Sequence, residues 1–549
     1  MTTTVTRYLL SRLRELGVGH VFGVPGDYSL AVLDEVLDTP GIEWVGTAAE
    51  LGAAYAADGY ARVKGFGALV TTFGVGELSA VNGVAGSYAE RVPLLHITVG
   101  PSQAMEDTGA SVHHTAGDGD FTRFARAHES VTCAHGVLRA PDAPAEIDRV
   151  LTAALAHRRP AYLRMPSDVG ALHVPPPRRP LVRVDPIVDP GNLVRFTDAV
   201  RRRVASAEST AVLADYLVDR FGVRAELADL VAAGLPHAVV AMGKSVLDER
   251  DPLFAGVYAG ALSDDVTRTT VDDADLLIRV GVHLVDTTSG GFSQGYPDGA
   301  GIELQPWEAR VDGEIFADVP LAVSLPAVTE LVRAHHGVTP TPPRLTDPPP
   351  PDTTCSALTQ EFLWDAVSRS LTGEHLVIAE QGTSYFGIAS RRFPSGCGFI
   401  AQPLWGSIGY GLPAALGAQL ADPARRCVLL VGDGSAQLTI QELGTIARHD
   451  LHPVVVLVNN GGYTVERAIH GPRAAYNDIA AWDWRALPAA LGAENALVMT
   501  VRTNHELLAA LDAAHACTDR LVFIEAITDL DDVPELLRRL AEGVSIRNS

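Results

Sequence analysis

The chain has 549 residues, 47% hydrophobic and 20% charged, which is enough for about three domains with buried cores and unlike a disordered or fibrous composition. Its 43 Lys and Arg stand against 66 Asp and Glu, a net charge of −23 that disfavours nucleic acid and anionic membranes as partners. Five scattered cysteines without a CxxC argue against a disulfide framework or a zinc site and point to a reducing cytoplasm.

The opening MTTTVTRYLLSRLRELG interrupts its apolar positions with Arg and Glu, so it reads as an amphipathic helix rather than a secretory signal. No apolar run reaches the roughly 18 to 20 residues of a membrane span. A strand is predicted over His20 to Val24, followed by PGDYSL and a helix; others follow over Ala68 to Phe73, before GVGELSAVNG, and over Pro93 to Thr98. The proline-rich stretch 174–191 reads as a linker. Beyond it, AVVAMGKSVLDE and ADLLIRVGVHL again alternate strand and helix, with fewer polar residues at strand ends. A second proline-rich stretch, 339–354, precedes a block that repeats the first scheme: strand Cys427 to Val431, loop GDGS, helix QLTIQELGTIARH, strand Val454 to Val458, then NNGGYT. Short Val/Ile/Leu runs alternating with Ala/Leu-rich helices predict three α/β domains with doubly wound parallel sheets, at 1–175, 190–338 and 355–549. In such sheets ligands bind beyond the carboxyl ends of the strands.

Two of those loops carry the clearest chemistry. Asp433 and Asn460 are one strand–helix–strand unit apart, which places both at the carboxyl ends of neighbouring strands. A carboxylate, an amide oxygen and the free carbonyls of Gly461-Gly462 suit a Mg²⁺ that keeps positions open for phosphate oxygens. Gly432, Gly434 and Ser435 at a helix start offer N–H groups to the phosphates themselves. Read alone, GDGS is a tight turn; paired with NN at this spacing it is a metal and diphosphate site. No GxGxxG or GxxxxGK[ST] fingerprint is present, and two lysines, Lys64 and Lys244, leave little room for Schiff-base chemistry. Four further features are ambiguous singly: Glu50 in an Ala-rich helix, Asp27 after a predicted strand where it could cap a helix, the loop pair His113-His114, and Glu466 in GGYTVERAIHG.

In order, GVPGDYSL, the Glu50 helix, TTFGVGELSAVNGVAGSYAERVPLLHI, HHTAGDGDF, MGKSVLDE, AEQGTSYFG, LWGSIGYGLPAALG and GDGSAQL to NNGGYTVE resemble the thiamine diphosphate-dependent 2-oxo acid decarboxylases over nearly the whole chain. The HH pair with Glu466 marks that branch among thiamine diphosphate enzymes. The resemblance implies decarboxylation to an aldehyde through a thiamine diphosphate enamine, with Asp433, Asn460 and the Gly462 carbonyl on Mg²⁺ and Gly434, Ser435 and Thr383 beside the diphosphate. It implies Ile408 under the cofactor, the Gly406 carbonyl on the aminopyrimidine, and Glu50 sharing a proton with the pyrimidine ring. Asp27, His113, His114 and Glu466 become the proton relay, Glu466 near decarboxylation and Asp27 with the histidines near protonation and release.

The resemblance also implies a homodimer as the minimum active unit, with Glu50 from one chain and Asp433 from the other, and dimers that commonly pair into homotetramers. Thr287, Gln381, Tyr385, Val465 and Ile469 are the implied substrate-pocket positions. Thr287 and Val465 leave extra room and GTSYFG looks closer to the indolepyruvate and phenylpyruvate type than to the pyruvate type, so an aromatic or branched 2-oxo acid is expected. DDVPELLRRLAEG is expected to form a helix over the entrance. Rival readings are a thiamine-dependent carboligase and a non-catalytic cofactor-binding homologue.

Overall fold

The computed structural model describes residues 2–182, 184–335, 343 and 357–548, with backbone alone for 543–548. The stretch 339–354 lies outside the described residues apart from 343. The first sheet holds, in chain order, His20–Gly23, Glu43–Gly46, Gly67–Thr72, Leu94–Gly100, Ala134–Val137 and Ala161–Pro166, all parallel and arranged 2-1-3-4-6-5. The last sheet, built from His375–Ala379, Gly398–Ala401, Arg426–Gly432, Val454–Asn459, Leu497–Val501 and Val522–Ile527, has the same order and is again all parallel. Their central strands are apolar runs buried on both faces, as helices on either side of a sheet require.

The central sheet departs from the expected all-parallel pattern. Thr210–Ala214, His237–Val240, Phe254–Tyr258, Leu276–Val280 and Ile302–Leu304 are parallel in the order 3-2-1-4-5. An antiparallel hairpin of Glu308–Val311 and Glu314–Ala317 then extends the edge. Its turn is Asp312-Gly313 with φ of 45° and 84°, the pair of positive values that a two-residue hairpin turn of matching twist demands. The 174–191 stretch is anchored at both ends: His173–Val174 pairs with Thr3–Thr4, and Asp189 caps the helix Pro190–Ser206. The expected helix QLTIQELGTIARH is broken into Asp433–Thr439 and Glu442–Arg448, where Thr439 Oγ1 turns to the Gly409 carbonyl.

The first and last domains share one hydrophobic core, because the helices Glu50–Lys64 and Gly411–Ala421 cross at backbone contact. A Cβ on Gly59 would stand 2.3 Å from the Ala414 carbonyl oxygen, and one on Gly417 1.8 Å from that of Ala56. The Ala/Gly-rich sequences of both helices exist for this approach. Gly417→Ala is therefore expected to cost about 1–3 kcal/mol as an overpacking change, read as a lower urea midpoint at unchanged slope. An unmoved midpoint would show that the helices part freely.

Candidate active site

The carboxyl edge of the last sheet gathers three loops. The neighbouring strands His375–Ala379, Arg426–Gly432 and Val454–Asn459 lead into the helices Thr383–Ala389, Asp433–Thr439 and Thr464–Ile469. Asp433 is 1% exposed, so GDGS is no surface turn. Its Oδ1 accepts from Gly434 N–H and its Oδ2 from Gly461 N–H, each at 2.8 Å. Burial pushes its carboxyl up to about 6, against the opposing pull of those N–H groups. The Asn460 amide oxygen lies 3.3 Å from Asp433 Oδ1 and 3.0 Å from the Gly462 carbonyl oxygen. A reversed amide would hydrogen-bond to both; as it stands, the Asn460 oxygen faces two other oxygens with no proton between. Bonds of about 2.0–2.1 Å in octahedral Mg²⁺ give ligand–ligand edges of about 2.9 Å, close to the 3.0 Å and 3.3 Å that separate the Asn460 oxygen from its two neighbours. Gly462 is required here: its φ is 136°, and a Cβ would stand 2.1 Å from the Asn477 carbonyl oxygen.

The same edge has room and unanswered polar atoms. A Cβ on Gly382 or Gly432 would meet nothing within 4 Å. Thr383 and Ser435 are buried at helix starts, while Gln381 Oε1 and Ser384 Oγ are buried without a hydrogen-bond partner. The loop carrying Gly406 and half-buried Ile408 is held from the first domain. Glu90 Oε1 accepts from the N–H groups of Leu404 (3.0 Å) and Trp405 (3.4 Å), Asn82 Oδ1 from Trp405 Nε1 (2.9 Å), and Tyr410 donates to Asp58 (2.6 Å). Ser407 Oγ shares a 2.5 Å hydrogen bond with the Tyr55 hydroxyl.

The carboxyl edge of the first sheet holds the second group. Asp27 does not cap a helix; its Oδ2 lies 2.7 Å from His113 Nε2 and its Oδ1 3.7 Å from His114 Nε2. Tyr28 stacks on His113 at 4.9 Å between centroids. Glu50 opens the helix Glu50–Lys64, half-buried, with Oε1 3.2 Å from the place of a Gly76 Cβ. Glu466 is exposed on Thr464–Ile469. Among the described residues no hydrogen bond or ion pair joins Glu50, Asp27, His113 or His114 to Asp433, Asn460 or Glu466 within one chain.

Three family models match this chain in order: the N-terminal TPP binding domain of thiamine pyrophosphate enzymes over residues 3–121, their central domain over 197–331, and their C-terminal TPP binding domain over 382–526. Proteins named alpha-keto-acid decarboxylase are similar along its whole length. That of Mycolicibacterium paratuberculosis is 48% identical over 547 residues, covering 99% of this chain and 97% of the relative. Those of Mycobacterium avium and Mycobacterium ulcerans are 47% identical over 547 residues and 46% over 546, covering 99% of this chain and 97% and 96% of the relatives. The chain belongs to the thiamine diphosphate-dependent 2-oxo acid decarboxylases.

In this decarboxylase the expected pocket positions do not line a single cavity. Thr287 and Tyr385 border one of about 760 Å³, together with Pro534 and Leu536 at the start of the helix Glu535–Asn548. Ile469 borders another with Leu530 and Val533, and Val465 packs on the core that contains Tyr385 and Phe386. Tyr385 is 1% exposed with its hydroxyl unpartnered, and Thr287 Oγ1 is likewise buried and unpartnered. Sequence reasoning missed Glu380 and Glu442. Glu380 Oε2 accepts from Gly411 N–H at 2.7 Å, and burial lifts its carboxyl to about 7. Glu442 Oε1 accepts from Ala48 N–H at 3.0 Å, two residues before Glu50. An acid ending an apolar strand, as in LVIAE, was the legible signal for Glu380. Glu442 had none. Among the described residues no helix is long and apolar enough to cross a membrane.

Proposed function

We propose that this decarboxylase converts an aromatic or branched-chain 2-oxo acid to CO₂ and the corresponding aldehyde, with thiamine diphosphate and Mg²⁺ bound between two copies of the chain. The separation of the two residue groups within one chain carries this reading. Each group is complete on its own sheet edge, and neither has the partner that the chemistry needs. A homodimer supplies it by facing the first domain of one copy to the last domain of the other, and pairing of dimers gives a homotetramer. The reading includes a cytoplasmic location, in keeping with the free thiols of Cys133, Cys397, Cys427 and Cys517.

Thiamine diphosphate supplies the carbanion and the electron sink that allow a 2-oxo acid to lose CO₂. Asp433, Asn460 and the Gly462 carbonyl hold Mg²⁺; Gly434, Ser435 and Thr383 receive the diphosphate. The Gly406 carbonyl and Ile408 fix the aminopyrimidine, and Glu50 holds a proton at its ring nitrogen. His113 Nε2 and Asp27 Oδ2 are at hydrogen-bond distance, 2.7 Å, and His114 Nε2 stands 3.7 Å from the other oxygen of the same carboxylate. That relay delivers a proton to the product carbon before release, while Glu466 serves the step that expels CO₂. Support for a larger substrate comes from the small side chains of Thr287 and Val465 at the implied pocket positions; the cavity of about 760 Å³ that Thr287 and Tyr385 border is lined by none of the residues assigned to the cofactor. This reading also places Gln381, Val465 and Ile469 against the substrate, although among the described residues of one chain they border no cavity shared with Thr287 and Tyr385.

The test is CO₂ release and aldehyde trapping by cofactor-stripped protein, with and without thiamine diphosphate plus Mg²⁺, over pyruvate, 2-oxoisovalerate, 2-oxoisocaproate, phenylpyruvate and indolepyruvate. One aldehyde per CO₂, dependent on both additions and with the highest kcat/KM on the larger acids, is expected. Best turnover of pyruvate overturns the substrate class. CO₂ without matching aldehyde overturns the product in favour of carboligation.

A further inference from the structure

Glu90 breaks two local rules at once. It caps the carboxyl end of the helix Val75–Ala89, where the helix dipole disfavours an acid, and it is fully buried. Burial pushes its carboxyl up, against the opposing pull of Arg62. Stability does not account for it, because apolar replacements of a buried ion pair are often as stable. The helices Glu50–Lys64 and Gly411–Ala421 already join the first and last domains through backbone contact.

Three donors converge on this carboxylate. Its Oε1 accepts from the N–H groups of Leu404 and Trp405, and its Oε2 accepts from Arg62 Nη2 at 2.8 Å. A group that accepts on both oxygens satisfies all three, whereas an amide of the same shape sets donor against donor whichever way it turns. Arg62 is fixed in its turn: its Nε donates to Asp58 at 2.6 Å and its Nη1 to the Ala401 carbonyl at 3.1 Å. Gly406, with φ of 66°, directly follows Trp405, so the first domain sets where its carbonyl stands. Asp58 and Arg62 lie on the helix that opens with Glu50. If each site is shared between two chains, that helix serves both sites of a dimer, with Glu50 at one and the clamp on the Gly406 loop at the other.

We infer that Glu90 is a positioning residue: backed by Arg62, it fixes the Gly406 carbonyl for the aminopyrimidine in the site built on the last domain of its own chain. This rests on the shared-site reading proposed above. Binding supplies the first test. In equilibrium dialysis with Mg²⁺, Glu90→Gln is expected to weaken thiamine diphosphate about tenfold and to leave inorganic pyrophosphate, which has no aminopyrimidine, within about twofold. Coexpression supplies the second. Chains carrying Glu50→Gln and Asp433→Ala together leave one complete site, on the last domain of the Glu50→Gln chain. Adding Glu90→Gln to that chain should cut the activity of the mixture about tenfold or more beyond what it costs on the Asp433→Ala chain, since misplacing a reacting group by 1 Å can cost about 10²-fold. Should Glu90→Gln fail to fold, Asn82→Ala, an exposed position whose Oδ1 accepts from Trp405 Nε1, is to show the same asymmetry. Equal losses in the two arrangements, undiminished binding of thiamine diphosphate, or pyrophosphate weakened as much as the cofactor would overturn the inference alone. An inactive parent mixture would dismiss the shared site, and the inference with it.

Discussion

Protein carrying Asp433→Ala is expected to leave gel filtration stripped of Mg²⁺ and thiamine diphosphate, under conditions in which the unaltered chain retains both. Asp433 Oδ1 is the only charged member of the oxygen trio with Asn460 and Gly462, so its loss leaves the ion two neutral ligands. The buried N–H groups of Gly434 and Gly461 also lose their acceptor, which costs about 1–3 kcal/mol of stability. A pH dependence follows in the unaltered protein. Burial raises this carboxyl from 3.8 to about 6, so protons compete with the metal below about pH 6, and retention should fall there. In metal-free protein the sign is that of a raised acid. Its contribution is fully favourable below the unfolded value of 3.8 and is lost as pH rises through about 6, by up to about 3 kcal/mol. Mg²⁺ should remove that loss, which thermal midpoints with and without chelator would show. Undiminished cofactor retention by Asp433→Ala would refute the metal assignment.

Glu50→Gln should cut turnover by about 10²- to 10⁴-fold, the range for removing a positioned proton-transfer group, while cofactor retention and melting stay unchanged. Glu50 makes no hydrogen bond to any described residue of its own chain, so the amide breaks nothing in the fold. What it loses is the ability to share a proton. A site assembled from two chains makes a further demand. Coexpressing Glu50→Gln with Asp433→Ala chains should restore activity, since each mixed pair has one intact site. Full turnover by Glu50→Gln alone would dismiss the pyrimidine role, and failure of the mixture would dismiss the shared site.

Local chemistry made the sheet edges legible. Strand ends near Gly23, Gly432 and Asn459 fall within a residue or two of the apolar runs that predicted them, because parallel strands buried on both faces must be apolar throughout. The pairing of Asp433 with Asn460 was legible too, since both follow neighbouring strands of one sheet; that of Asp27 with His113 was implied only by the family resemblance. Long-range packing was not legible. The break after Thr439 depends on the Gly409 carbonyl, which lies far off in sequence. The Asp312-Gly313 hairpin did carry a turn signal, but a scheme of repeating parallel units passed over it. Where Ile469 and Tyr385 fall relative to one another depends on how helices tilt on the sheet, which no periodicity encodes.

The crossing of Glu50–Lys64 with Gly411–Ala421 also bears on how this chain can be recombined with its relatives. Sequence-distant halves of that contact must change together, because a relative's bulkier residue opposite Gly59 or Gly417 has no space to occupy. Chimeras therefore have their natural breakpoints on either side of the central domain. The outer two domains form one exchangeable body interrupted by an insert, and shuffling either alone would splice together surfaces that never matched.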